Sequence, residues 1–228
     1  HLSTMWWLGV REGDVHLNIS SPGWGKHAWS NFFSPFLAQA TVFIFNYARF
    51  HAETLLKIMD TYQVSTFCAP PTVWRMLIQA ELQGRRGSLR EIVGAGEPLN
   101  PEVIDQVQRH WGLTIRDGYG QTETVNLLAN FRGMPIKPGS ATVPMPGYDV
   151  QILRPDGTVC DTDEEGAICV KLPLPPGTLP TLWGDDQRYV DTYWSRFPGL
   201  YFAGDGAKRD EDGVYRVRVL KNDERLAR

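Results

Sequence analysis

Cysteine is scarce in this sequence, with three in 228 residues at positions 68, 160 and 169 and no CxxC or CxxxxC spacing among them. An odd, sparse set argues against a disulfide framework and implies reduced thiols in an intracellular, cytoplasmic setting. A charge excess is also lacking. With 23 Lys and Arg against 26 Asp and Glu the net charge is −3, and the basic residues are scattered, which disfavours nucleic acid and an anionic membrane surface as partners. No apolar run is long enough to span a bilayer, and no signal-peptide pattern opens the chain. The five histidines, at 1, 16, 27, 51 and 110, form no HxH or HExxH pattern, so a zinc site is not expected. There is no GxSxG nucleophile elbow and no GxGxxG fingerprint, which sets NAD aside. Repeats and low-complexity tracts are absent as well.

What remains is ordinary globular composition, 42% hydrophobic and 21% charged, enough for one large domain or two small ones. From about Thr41 to Asp117 two periods alternate. Val42 to Phe45, Val64 to Ala69, Leu89 to Val93 and Leu113 to Arg116 read as short buried strands. Between them lie helical stretches. One carries Leu55, Leu56, Ile58, Met59 and Tyr62 on one face, one runs from an N-cap at Thr72 to Leu82, and one is bounded by Asn100-Pro101 and Gly112. A βαβαβαβ series of this kind predicts an α/β fold, a parallel sheet with flanking helices over residues 41–117. After Pro135 prolines and glycines crowd in, and the pattern turns to short strands joined by polar turns. Tyr148 to Leu153 alternates like an exposed strand, Ala167 to Leu172 follows, and Leu200 to Ala203 and Val214 to Leu220 flank the turn Asp210-Glu211-Asp212-Gly213. A mostly antiparallel β subdomain is expected there. Cys68 and Cys169 sit in apolar strands and read as packing groups.

In parallel sheets ligands gather at the carboxyl ends of the strands. Three loops fall there: Ala69-Pro70-Pro71, Gly94-Ala95-Gly96-Glu97-Pro98, and Asp117-Gly118-Tyr119-Gly120-Gln121-Thr122-Glu123-Thr124. Tyr119, between two glycines, is either a turn aromatic or a platform for a planar base. Thr122 and Thr124 are either ordinary strand residues or hydroxyls offered to phosphate, in which case Glu123 between them offers one carboxylate to Mg2+, which takes only one or two. Asp205, after Gly204 at a strand end, is either a turn residue or an acceptor for paired ribose hydroxyls.

These motifs, in this order and spacing, together with Tyr201-Phe202-Ala203-Gly204-Asp205, resemble the adenylate-forming enzymes. Lys137-Pro138-Gly139-Ser140-Ala141 and the segment from Gly184-Asp185 to Tyr193-Trp194 are most similar to acetyl-, propionyl- and medium-chain acyl-CoA synthetases. The resemblance implies a carboxylic acid activated with ATP to an acyl-adenylate, then transferred to coenzyme A with release of AMP. It implies Gly96, Glu97 and Pro98 at the adenine and Tyr119 stacked on it, flanked by Asp117 and Gly118 beside Gln121. It places Thr122 at the α-phosphate, Glu123 on Mg2+ and Asp205 on the ribose. Ala69 falls near the pantetheine path, Ala95 and Trp24 at the acyl pocket, and Gly120 where acetate-specific relatives carry a pocket-closing tryptophan. An acid larger than acetate is therefore expected.

The resemblance also implies a piece of a larger domain. Residues 1–138 would form its α/β part, 139–219 its β-rich part and 220–228 a hinge remnant around Leu220-Lys221-Asn222-Asp223-Glu224. The family's phosphate loop would precede His1, and a lysine-bearing C-terminal domain would follow, so little ligation is expected of this chain alone. Three rival readings remain: a non-catalytic adenine-nucleotide-binding module or degenerate paralogue, an enzyme that hands the acyl group to a carrier-protein thiol, and a structural protein with an α/β core.

Overall fold

The computed structural model describes residues 2–97, 99–141 and 143–218. Two sheets lie back to back. The first has seven strands: β1 (Val15–Asn18), β2 (Thr41–Phe43), β3 (Thr66–Ala69), β4 (Glu91–Ala95), β5 (Arg116–Gln121), β6 (Val125–Ala129) and β7 (Val143–Pro144), in the order β2-β1-β3-β4-β5-β6-β7. The five strands from β2 to β5 are parallel, and β6 and β7 add antiparallel. The second sheet is antiparallel throughout, with β8 (Val150–Leu153), β9 (Gly166–Lys171), β10 (Leu200–Arg209) and β11 (Tyr215–Arg218) in the order β11-β10-β9-β8. The mixed α/β architecture expected from the sequence is present.

Helices α4 (Ala52–Thr61), α5 (Pro71–Leu77) and α6 (Pro101–Trp111) bury Leu55, Leu56, Met59, Val73, Trp74, Leu77, Val103, Ile104 and Val107 on one face of the parallel sheet. Each indole in that layer finds an acceptor: Trp74 Nε1 donates to Val93 O at 3.2 Å and Trp111 Nε1 to Leu82 O at 3.0 Å, so the aromatic bulk is buried without an orphaned N–H. The other face packs on α1 (Leu2–Leu8) and on the second sheet in a continuous core from Trp7 and Tyr119 through Leu127 and Leu128 to Val150, Val170 and Tyr201. That shared core fixes where the two sheets meet.

Several expected boundaries shift. Asn100 caps α6 as predicted, accepting Glu102 N at 2.9 Å, and Gly112 closes it in the left-handed region. Thr72, however, is inside α5. Pro70, extended at φ −71 and ψ 157, is the cap, because Pro71 with its fixed φ opens the helix. Strand β1, unforeseen, lies between β2 and β3. Its sequence Val-His-Leu-Asn hides a buried strand, since His16 and Asn18 are polar yet buried, with His16 Nδ1 2.8 Å from Thr66 Oγ1 and Asn18 Nδ2 donating to Ser30 Oγ at 2.5 Å. Strand β8, expected to be exposed, has three of its four residues buried, because Val150 and Ile152 face the shared core while Leu153, on the other face, packs with Cys169 and Phe197. The first sheet also reaches past residue 138, through β7. Cys68 and Cys169 are buried, as expected. Among the described residues no helix is long and apolar enough to cross a membrane.

Candidate functional site

Strands β3, β4 and β5 end side by side on a cavity of about 560 Å³, within the ~300–1,000 Å³ common for cofactor sites. Its walls come from Pro70 after β3, from Ala95, Gly96 and Glu97 at the end of β4, and from Asp117 to Glu123 along β5 and its turn. Trp24, Lys26 and Trp29 close one side, and Asp205 enters from the second sheet. The stretch Asp117 to Gln121 is the strand itself, not a loop beyond it as expected. Only Thr122 to Thr124 form the turn into β6.

Tyr119 and Asp205, far apart in sequence, are joined. The Tyr119 hydroxyl donates to Asp205 Oδ2 at 2.6 Å, and Gln121 Nε2 donates to the same oxygen at 3.0 Å and to Ala203 O at 2.6 Å. A register irregularity between Phe202 and Gly206 lets β10 turn Asp205 toward β5. Asp205 is 2% exposed and Tyr119 8%, so the ring and the carboxylate are held by packing as well as by hydrogen bonds. The aromatic face and the acceptor are one rigid unit.

Asp117 is buried, and burial pushes its carboxyl up to about 7, opposed by the backbone N–H groups of Leu99 and Gly118 that donate to it at 3.3 and 2.9 Å. The Leu99 bond ties the end of the β4 loop to β5. Glu97 on that loop pairs with Arg75 at 3.3 Å, with both side chains about half exposed.

The turn after β5 is strained. Val125 has φ 59, a left-handed conformation that is an outlier for a β-branched residue and costs about 1–3 kcal/mol. Thr124 Oγ1 accepts Gln121 N at 3.3 Å, and the Thr124 carbonyl accepts the Tyr148 hydroxyl, so the turn is anchored by β5 and by the loop that leads into β8. Gly120 is needed here because an added Cβ would stand 2.8 Å from the Val125 carbonyl carbon and 2.9 Å from Asn126 Cα. Gly120 lines the cavity, but its missing side chain would point at the β6 backbone, not at open acyl space. A larger residue therefore requires a differently built turn.

Glu123 accepts the Tyr193 hydroxyl at 2.7 Å, and its carbonyl accepts Leu179 N at 2.7 Å. No group of three or more His, Cys, Asp or Glu stands ready for a metal among the described residues. One carboxylate beside the Thr122 hydroxyl is a donor set that fits an ion held chiefly by phosphates and water, whereas Thr124, expected to offer a second hydroxyl, is fully buried with that hydroxyl bonded inside the turn and does not face the cavity.

The remaining expectations divide. Trp24, Ala95, Gly96, Glu97, Gly118 and Thr122 line the cavity, Trp24 at its mouth with 71% exposure. Ala69 does not; it is fully buried among the helix-side core residues, and Pro70 takes the cavity face. Pro98 and the hinge segment from Leu220 to Glu224 lie outside the described residues. Sequence reasoning missed Lys26, Trp7, Trp29 and Val125, all on the wall. They come from α1, from the segment after β1 and from β6, regions whose local pattern carries no nucleotide signal.

Residues 2–177 match the family model described as AMP-binding enzyme. The chain belongs to the AMP-binding enzyme family. This AMP-binding chain is 44% identical over 211 residues to 4-hydroxybutyrate–CoA ligase 1 of Metallosphaera sedula, covering 91% of the chain and 37% of the relative. It is 42% identical over 212 residues to the mitochondrial acyl-coenzyme A synthetase ACSM3 of Rattus norvegicus, covering 92% and 36%. The crystal structure of a Brucella canis acyl-CoA synthetase superposes with a TM-score of 0.80 at 31% identity, over 95% of this chain and 40% of that one. The chain thus spans little more than a third of the curated relatives it matches.

Proposed function

We propose that this chain supplies the nucleotide and acid sites of an AMP-forming acyl-CoA synthetase, an ATP-dependent acid–thiol ligase. The observation that carries the reading is the Tyr119–Asp205 hydrogen bond of 2.6 Å inside the cavity at the strand ends. It joins a flat ring and a buried carboxylate on one wall of the cavity. In the reading, the adenine lies on Tyr119 with its edge toward Gly96 and Glu97, and Asp205 accepts the ribose hydroxyls. Gln121 holds Asp205 in place. Thr122 donates to the α-phosphate, where the acid's carboxylate attacks to give an acyl-adenylate and pyrophosphate. Coenzyme A thiol then displaces AMP. Such a displacement needs positioning and neutralised charge more than acid–base chemistry. Glu123 would hold Mg2+, which supplies charge neutralisation on the phosphates.

The relatives' names speak of 4-hydroxybutyrate and of acyl groups without a stated length. We infer an acid larger than acetate, entering beside Trp24, Trp29 and Ala95, and a role in fatty acid metabolism. The three free thiols support the cytoplasm as the compartment, although ACSM3 carries "mitochondrial" in its name. Calorimetric titration of the chain with AMP tests the core of the reading. Saturable binding is expected, and no binding of AMP or ATP at millimolar concentration overturns it. Binding of AMP without pyrophosphate exchange, in a protein that also carries the phosphate loop and the lysine-bearing domain, would instead select the non-catalytic module.

A further inference from the structure

Lys26 stands on a three-residue helix, α2 (Gly25–His27), at the cavity wall. Its Nζ donates to Ala95 O at 3.3 Å. Among the described residues it enters no ion pair. The carboxylates that share the cavity are engaged elsewhere. Glu97 pairs with Arg75, Glu123 accepts Tyr193, Asp205 accepts Tyr119 and Gln121, and Asp117 accepts two backbone N–H groups. The surrounding wall carries no countercharge, formed by Ile19, Trp24 and Trp29 together with the neutral hydroxyls of Ser20, Ser21 and Ser30. A cation beside apolar surface with one neutral acceptor gains from an anion that enters, and the cavity is where such an anion can come.

Two features fix which end of the cavity this charge serves. Gly25, the preceding residue, presses on the turn after β5, where an added Cβ would come within 3.0 Å of Thr122 Cβ. The Lys26 charge also reaches the Cys68 thiol near the end of β3, where burial pushes the thiol up and Lys26 and Ser30 oppose this. The ammonium therefore lies at the end of β4, on the residue after the one that contacts Thr122. Its backbone is held too, since Ser30 Oγ donates to Lys26 O at 2.5 Å and itself accepts Asn18 Nδ2.

We propose that Lys26 Nζ binds the carboxylate of the acid substrate and holds it next to the Thr122 hydroxyl before attack. The assignment rests on the nucleotide-site reading above and adds to it the group that recognises the second substrate. The contact is a charge-assisted hydrogen bond, and no covalent bond is made to the lysine. An acid is then preferred over its neutral amide, and Ala95 O competes only weakly for the lysine.

The test compares the chain with Lys26→Met and Lys26→Arg by calorimetry. Adenosine is bound first, then butyrate or its neutral isostere butyramide is titrated. The wild-type chain should favour butyrate about tenfold or more, Lys26→Met should lose the preference, and Lys26→Arg should restore part of it. Affinities for AMP and adenosine should each stay within about twofold in the variants. A butyrate preference that survives in Lys26→Met overturns the proposal. So does absence of butyrate binding to the wild-type chain when adenosine binds. A tenfold loss of AMP affinity in Lys26→Met with adenosine unchanged assigns the lysine to the α-phosphate and also overturns it. Failure of both adenosine and AMP to bind has a different signature and sinks the nucleotide site itself, and the carboxylate assignment with it.

Discussion

Replacing Asp205 by asparagine tests the Tyr119–Asp205 unit most directly. The carboxylate is 2% exposed and takes donors from Tyr119 at 2.6 Å and Gln121 at 3.0 Å on one oxygen. A carboxylate offers about four lone-pair sites, so its capacity exceeds these two donors. Asparagine keeps one acceptor oxygen but turns the other arm into a donor and removes the charge. One charge-assisted bond to a ribose hydroxyl should then be lost, about 1.5–3 kcal/mol, or roughly a 10- to 140-fold weaker AMP complex at 1.4 kcal/mol per decade. The assay is calorimetry with AMP and with 2′-deoxy-AMP on both proteins, with near-ultraviolet circular dichroism to show that Tyr119 remains packed. If Asp205 contacts the sugar, removing the 2′-hydroxyl should matter much less in Asp205→Asn than in the wild type, because the partner is already gone. AMP affinity within about twofold of the wild type in a folded variant refutes the assignment. A 2′-deoxy penalty of the same size in both proteins does so as well.

Three further outcomes follow from the same geometry. Burial raises the Asp117 carboxyl from 3.8 to about 7, so the folded state holds this proton more tightly than the unfolded chain. The stability it contributes is complete below pH 3.8 and is lost as pH rises to about 7, by at most about 4 kcal/mol at 1.36 kcal/mol per pH unit; in urea unfolding across that range the chain should lose stability relative to Asp117→Asn by up to that amount, and a difference that does not change with pH refutes the shift. Gly120→Ala should force the β5–β6 turn apart for the contacts given above, costing about 1–3 kcal/mol and lowering Tm by several degrees with weaker AMP binding, and an unchanged Tm refutes the close approach. Glu91, 5% exposed, pairs with Arg90, Arg116 and Arg132; Glu91→Gln leaves the buried Arg116 without its carboxylate and should lower the denaturation midpoint by an amount equivalent to about 3–5 kcal/mol, whereas a shift below 1 kcal/mol would mean that the helix α1 carbonyls alone satisfy that arginine.

How much could be read from the chain depended on whether a residue's partners are local. Helix α6 was legible because its stop signals, Asn100, Pro101 and Gly112, act within one turn of themselves. The strands β3 and β4 announced themselves through apolar runs, since a strand buried on both faces needs no polar alternation. Strand β1 broke that rule. His16 and Asn18 are accommodated in the sheet with one hydrogen bond each, to Thr66 and Ser30, and no short window on the sequence contains that information. The same holds for Ala69, whose neighbour Pro70 faces the cavity while it does not; which of two adjacent residues points outward is set by the end of the strand.

The site divides along the same line. Its motifs lie on β5 and β10, and their residue types were readable because a nucleotide demands a ring, a paired acceptor and hydroxyls from whichever scaffold holds it. Their joint placement was not readable, for it depends on the irregularity in β10 and on Gln121, which bridges the backbone of β10 and the side chain of Asp205 at once. That bridge means Tyr119 and Asp205, the proposed base platform and sugar acceptor, cannot move separately. Lys26 stands outside the unit, on a short helix set by Ser30 and pressed on the turn at Thr122. In this protein the proposed nucleotide end of the cavity is therefore fixed by two sheets, and the proposed acid end by a single segment after β1. Substitutions in that segment should change which acid is taken before they change whether AMP binds.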